Sequence, residues 1–331
     1  MHRSLATLRV WLALVVLAAL PVAHAAQPEY RGAVVMDAGN GQIVFEDHAD
    51  RANPPASVTK LMTFLVVHDC LRAGTLTLNT PITIAREDAG MGGTQVWLEA
   101  GEAFTVEDLL YALLIQSAND AAHALARAAH GSVPAFVSEM NRRAQSLGMT
   151  QTTFRTPHGL PPRSRKASDT DMTTARDLAL LSRELLLHTD ILTYSSVRER
   201  TFRPGQPPPR EVIMRNHNHL LAKVRGADGL KTGYTAAAGF CLAATAEREG
   251  RRLIVVVVGS PDAKSRDIKV AELLERFFAQ ASNLTVFQRA DESPFIQPST
   301  GAAGGAAPAA KPPTPPAAES LPTVRFPRPR S

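Results

Sequence analysis

Apolar residues fall into strand-like runs at both ends of the chain and into longer helical stretches between them. Tyr30 to Met36 is a β-type run and Gln42 to Glu46 a second. The D-A-G-N-G segment Asp37–Gly41 between them has the composition of a hairpin turn. Pro54 and Pro55 break the chain, and Ser57 to about Arg72 is then apolar over a helical length. Asp108 to His130 and Pro134 to Leu147 predict two further helices, the second ended by Gly148, and Thr173 to Leu187 predicts another. Cys241 to Ala246 and Leu253 to Gly259 predict strands separated by the charged turn Glu247 to Arg252, and a closing helix follows from about Lys264 to Ala279. Strands at both ends with helices between predict one α/β unit: the terminal strands share a sheet, a helical lobe is inserted, and the last helix covers a sheet face.

The two ends of the chain are different in kind. Arg3 and Arg9 precede an apolar run from Val10 to Leu20, and Ala23-His24-Ala25 has the small-x-small form of a cleavage site. Residues 1–25 are therefore expected to be a signal peptide, and the protein is expected to be exported to the periplasm or cell envelope. Residues 26–282 are expected to form the catalytic unit. From about residue 283 proline and alanine dominate, which predicts a tail at 283–331 without a packed core. No internal repeat interrupts this plan.

Composition adds little to that picture. The 331 residues are 44% hydrophobic and carry a net charge of +5. Arg and Lys are scattered rather than clustered with aromatics, which argues against a nucleic-acid partner and leaves a weak attraction to anionic wall polymers or membrane surfaces. Cys70 and Cys241, each in an apolar run, are either two buried thiols or a pair formed in an oxidising compartment. The histidines show no H-E-x-x-H or comparable spacing, so neither a metal nor another cofactor is implied.

Three short motifs carry the chemistry. In Ser57-Val58-Thr59-Lys60 a helix starting at Ser57 places the lysine on the serine's side, and burial by the following Leu61-Met62-Thr63-Phe64-Leu65 would lower its pKa enough to make it a base. Ser117-Ala118-Asn119 interrupts an apolar helical pattern with polar groups, a hydroxyl able to relay a proton and an amide able to hold a peptide carbonyl. Lys231-Thr232-Gly233, at the start of the strand pattern leading into Phe240 to Ala246, offers a carboxylate-binding edge to an extended peptide. In this order the three have the S-x-x-K, S-x-N and K-T-G form found in penicillin-binding proteins and class A β-lactamases.

The chain resembles the low-molecular-mass penicillin-binding D,D-carboxypeptidases of serine peptidase family S11 from about Tyr30 to Phe278. Beyond the three motifs the likeness includes Gly93-Thr94 with Trp97-Leu98 and Gly101-Glu102, Leu147-Gly148-Met149-Thr150, Pro157-His158-Gly159-Leu160, Thr174-Ala175-Arg176-Asp177 and Arg215-Asn216-His217-Asn218. The resemblance implies the penicilloyl-serine transferase fold, an antiparallel sheet flanked by helices with a helical subdomain. It implies Ser57 as the acylated residue, Lys60 as general base and Ser117 as a catalytic partner. Asn119, Lys231, Thr232, Gly233, Tyr234, Arg266 and His158 would bind substrate, with the N–H groups of Ser57 and Tyr234 holding the oxyanion. The implied ligands are peptidoglycan stem peptides and β-lactam inhibitors. Many relatives add a β-rich domain and an amphipathic membrane anchor; the Pro/Ala-rich tail supports neither, and membrane association is left open.

The expected activity is removal of the terminal D-alanine from pentapeptide stems through an acyl-enzyme. A D,D-endopeptidase of the same family, cutting crosslinks, is the alternative. A β-lactamase needs a deacylating glutamate for which no equivalent stands out, and a non-catalytic wall-binding protein would not need Ser57, Lys60 and Lys231.

Overall fold

The computed structural model describes residues 29–282 except 163, 165, 208 and 209, and these lie within one compact unit, Met1–Ala290. The expected signal peptide and Pro/Ala-rich tail lie outside the described residues. Strands β1 (Gly32–Asp37), β2 (Ile43–Asp47), β3 (Ala227–Thr235), β4 (Gly239–Arg248) and β5 (Arg251–Ser260) form one antiparallel sheet in the order β2-β1-β5-β4-β3. The first and last strand runs are therefore neighbours, as the pattern along the chain predicts.

The central strand shows why. Leu253 to Val258 are all fully buried. Ile254, Val256 and Val258 face one core together with Val34, Met36 and Ala243, while Leu253, Val255 and Val257 face a second with Ala33, Val35 and Leu242. A strand buried on both faces reads as a continuous apolar run, yet its side chains still alternate. The second core is closed by Val270, Leu273, Leu274 and Phe277 of the final helix, Ala263–Phe277.

The first core joins the sheet to the helical lobe. Helix α1 (Lys60–Arg72) runs through it with Lys60 to Val67 all buried, so it is apolar on every side and shows no polar stripe. It packs against α3 (Asn119–His130), α4 (Val133–Ser146) and α5 (Ala175–His188).

Four details differ from the sequence pattern. The expected helix Asp108–His130 is in fact α2 (Val106–Tyr111), a wide π turn at Ala112–Gln116, and α3, with Ser117 in the left-handed region at φ 64°. Its apolar Leu113-Leu114-Ile115 hides the break, because a wide turn needs the same buried face as a regular one. Ser57 lies in a short 3-10 turn, Ala56–Thr59, before α1 rather than in the helix itself. Lys231-Thr232-Gly233 stands in the middle of β3 and not at the start of the following strand. The β4–β5 turn is also tighter than its charged sequence suggests: only Glu249 and Gly250 turn, both at positive φ. Arg252 stays in the strand, held by Asp228 and Glu247 at 2.7 and 2.6 Å.

Two glycines fix the surroundings of Ser57. Gly233 runs so close to the 3-10 turn that a Cβ there would lie 2.7 Å from the Pro55 carbonyl. Gly159, at φ +81°, leaves only 1.9 Å between its would-be Cβ and the Ala56 carbonyl, whereas at Gly148, also at positive φ, nothing lies within 4 Å. Gly148→Ala is expected to lose about 1–2 kcal/mol of stability, the cost of the left-handed backbone alone. Gly159→Ala should lose about 3 kcal/mol or more, because two backbone segments must separate. Urea unfolding of both variants checks the contrast, and equal losses would show that the close approach is unimportant.

Candidate active site

Ser57 and Lys60 meet because the 3-10 turn leads directly into α1. Lys60 Nζ lies 3.2 Å from Ser57 Oγ, and it also donates to Asn119 Oδ1 at 2.6 Å and to the His158 carbonyl at 2.9 Å. The last two are carbonyl oxygens, able only to accept. A neutral amine meets both with its N–H groups and keeps a lone pair for the serine hydroxyl, the arrangement a general base needs. The amine is fully buried, and burial, then the cation of Lys231, holds its pKa well below the ordinary lysine value; Asp120 and Asp171 pull weakly the other way.

Ser117 reaches the site through the broken helix. Its left-handed backbone lets α3 restart at Asn119, and strain of this kind persists only where the surrounding structure enforces it. Its hydroxyl is buried and has no hydrogen-bond partner among the described residues. Asn119 is engaged on both sides, accepting from Lys60 and donating to the Gly92 carbonyl at 2.8 Å. In this structure it is a strut between α1 and the loop above the site, whereas the sequence suggested an amide free to hold a peptide carbonyl. His158 likewise faces inward: its carbonyl receives Lys60, and its Nδ1 accepts from the Leu160 N–H at 3.1 Å. Burial, then Lys60, pushes its ring down to about 3, so it is neutral.

Strand β3 forms the opposite wall. Lys231 is buried and donates to the Thr232 carbonyl at 3.1 Å; burial, then Arg266, lowers its pKa to about 7. Tyr234 is exposed and stacks on Phe240 with ring centroids 4.2 Å apart. Arg266 comes from the final helix, α7 once α6 (Leu220–Lys223) is counted. It is buried against Asp267 Oδ1 at 2.6 Å.

A cavity of about 320 Å³ unites these elements, lined among others by Ser57, Ser117, Thr232, Gly233, Tyr234 and Arg266. Its walls also include His217 and Thr94, which motif reading left without a role. Burial, then Lys231, lowers His217 to about 4. Thr94 belongs to a loop clamped from below by Asp120, whose carboxylate accepts from the N–H groups of Val96 and Leu98, and from above by Arg203, which donates to the carbonyls of Val96 and Trp97. Asp120, next to Asn119 in sequence, was discoverable from the motif; nothing local marks Arg203. Arg266 lines the cavity with Lys231 close by, and no carboxylate is among its described lining residues, an environment that favours an anionic ligand. Cys70 and Cys241, the possible pair, are separate buried thiols.

An S-x-x-K turn, a strained S-x-N break and a K-T-G edge strand around one cavity define the penicilloyl-serine transferase fold. The family profile described as D-alanyl-D-alanine carboxypeptidase matches residues 21–262, and the chain belongs to this family, peptidase S11. It is 33% identical over 261 residues to the D-alanyl-D-alanine carboxypeptidase DacF of Bacillus subtilis, covering 79% of this chain and 65% of that protein. It is 35% identical over 271 residues to DacC of Escherichia coli, a D-alanyl-D-alanine carboxypeptidase, again covering 79% of this chain and 65% of the relative. The chain thus spans just under two thirds of these relatives. Ampicillin-bound penicillin-binding protein D2 of Listeria monocytogenes superposes with a TM-score of 0.65 at 32% identity, over 76% of this chain and 97% of that one.

The buried cations have a consequence for stability. Lys231 has a folded pKa of about 7 against an ordinary value of 10.5. Below pH 7 it is charged in both states and the folded state bears the desolvation penalty. Between about 7 and 10.5 the unfolded chain binds the proton that the folded chain has released, so this penalty fades as pH rises. Lys231→Met is therefore expected to be more stable than the wild type at pH 6, by about 1–4 kcal/mol, with the gain shrinking by pH 9. Urea midpoints at the two pH values check this, and a variant less stable at pH 6 would contradict it.

Proposed function

We propose that the protein is an exported serine D-alanyl-D-alanine carboxypeptidase that removes the terminal D-alanine from peptidoglycan pentapeptide stems. The observation that carries this reading is the buried Lys60 amine facing Ser57 Oγ at 3.2 Å, its pKa held well below the ordinary lysine value by burial and by Lys231. Names of the relatives, the anion-favouring cavity and the apolar N-terminal run of residues 10–20 support it.

The terminal carboxylate docks on Arg266 and the Thr232 hydroxyl, and the stem lies along the edge of β3. Lys60 takes the Ser57 proton as Oγ attacks the carbonyl carbon of the penultimate D-alanine. The N–H groups of Ser57 and Tyr234 receive the developing oxyanion. Ser117, whose hydroxyl is otherwise unpartnered, passes the proton from Lys60 to the departing amine as the C–N bond breaks. Water, deprotonated through the same pair, then hydrolyses the ester. A β-lactam places its own carboxylate on the same groups and acylates Ser57; without a fixed deacylating base the adduct is slow to leave.

Wild-type protein is expected to bind a fluorescent penicillin covalently and to release free D-alanine from a disaccharide pentapeptide. Ser57→Ala should do neither, and Ser117→Ala should acylate about 10²–10⁴-fold more slowly. Labelling without D-alanine release would transfer the activity to crosslinked dimers, and no labelling would leave a wall-binding module.

The pH profile provides a second check. The Lys231 cation disfavours protonated Lys60, so Lys231→Gln should raise the Lys60 pKa and move the acid limb of penicillin acylation to higher pH. An unmoved limb would show that Lys60 is not the base.

A further inference from the structure

A second cleft opens beside the catalytic cavity, and the proposed reaction makes no use of it. Its volume is about 480 Å³, within the range of small-molecule sites. Leu220 and Val224 on one side, with Ile268 and Ala271 of α7 on the other, make most of its surface apolar. Ile268 is 57% exposed, so this surface faces solvent rather than packing against the protein.

The cleft adjoins the cavity. His219 and Ala263 line both. His219 forms the partition, an exposed ring whose Nδ1 lies 3.4 Å from Asp267 Oδ2. Ala263, which lines both spaces, lies one helical turn before Arg266 in α7 and on the same side, so the two spaces meet near that arginine, while Lys264 and Ile268 face away from it into the cleft.

Arg266 is the group assigned to the carboxylate of the leaving residue, so the cleft begins where that residue sits. The side chain of an amino acid is attached to the carbon that bears its carboxylate. Alanine offers only a methyl group there, which cannot fill an apolar space of this size. We propose that the cleft is a subsite for the side chain of the leaving residue, and that the protein releases terminal D-amino acids with long aliphatic side chains, of the D-leucine or D-methionine kind, as well as D-alanine. This inference rests on the proposed function and extends its substrate class. The chemistry is unchanged: an ester forms between Ser57 Oγ and the penultimate D-alanine, the C–N bond to the terminal residue breaks, and that residue leaves with the proton on its amine. Lys223 and Lys264 among the lining residues disfavour a basic side chain, and the mostly apolar surface favours an aliphatic one.

The test uses two pentapeptides that differ only in ending D-Ala-D-Ala or D-Ala-D-Leu, with the released amino acid measured for each. The wild type should release D-leucine with a kcat/KM within about tenfold of that for D-alanine. Ala271→Phe fills the cleft and Ile268→Glu places a carboxylate in it. Each should lower the D-leucine to D-alanine ratio about tenfold or more, the usual scale for apolar side-chain contacts in a substrate pocket. The ratio is taken within one preparation, so a partly misfolded variant changes both rates and leaves it unaltered. D-Alanine release without D-leucine release, or a ratio unmoved by both variants, would overturn the subsite and leave the carboxypeptidase reading intact. Loss of release from both peptides together with absent penicillin labelling in the wild type would remove the function itself, and the subsite with it.

Discussion

The arrangement around Ser57 depends on one buried amine. Lys60 sits where a charge is costly, at the start of a helix that is apolar on all sides and close to a second buried lysine. Two carbonyl oxygens, from Asn119 and His158, fix its N–H groups and thereby its direction. These partners come from segments far apart in the chain, so the broken helix, the glycine loop and the 3-10 turn must all be in place before the amine is oriented.

That dependence shows in the backbone around Ser57. Ala56 and Ser117 both adopt positive φ, and Gly159 does so against the Ala56 carbonyl. Each deviation brings a serine toward Lys60 or brings a loop close to the serine. Strain held in this way is sustained by a large, well-filled core, here the cluster joining α1 to α3, α4 and α5.

Much of this was legible in the sequence, for reasons that differ between elements. Strands β1, β2, β4 and β5 were visible because burial on at least one face imposes apolar runs. Strand β3 was obscured: Gly229 and Gly233 are there for close backbone approach, and Lys231 and Thr232 for the cavity, so function overwrote the hydrophobic pattern. The polar groups of Ser117-Ala118-Asn119 showed as an interruption of the pattern, but the break in the helix itself was hidden because the residues before it are as apolar as a helix requires. Among the expected site residues, Ser57, Ser117, Thr232, Gly233, Tyr234 and Arg266 line one cavity, with Lys60 and Lys231 buried next to it. His217 and Thr94, known from the sequence only as parts of wider likenesses, join them there, and Asn119 and His158 hold the Lys60 amine. Side-chain type told which groups mattered; what each group faces is decided by segments a hundred or more residues away.

The sheet ends in two unlike edges. Strand β2 is short, carries a register shift against β1 and displays Glu46 and Asp47, features that discourage another strand from adding to it. Strand β3 is nine residues long and, among the described residues, pairs only with β4. An edge that is to receive an extended peptide, as proposed for this one, cannot be blunted in the same way. Crowding takes the place of the bulges, prolines or covering helices that protect other edges: the 3-10 turn that carries Ser57 packs against the strand at Gly233. Selection against unwanted strand pairing and selection for substrate reach therefore act on the same few residues, and enlarging the opening for bulkier ligands would also expose the protein to self-association along that edge.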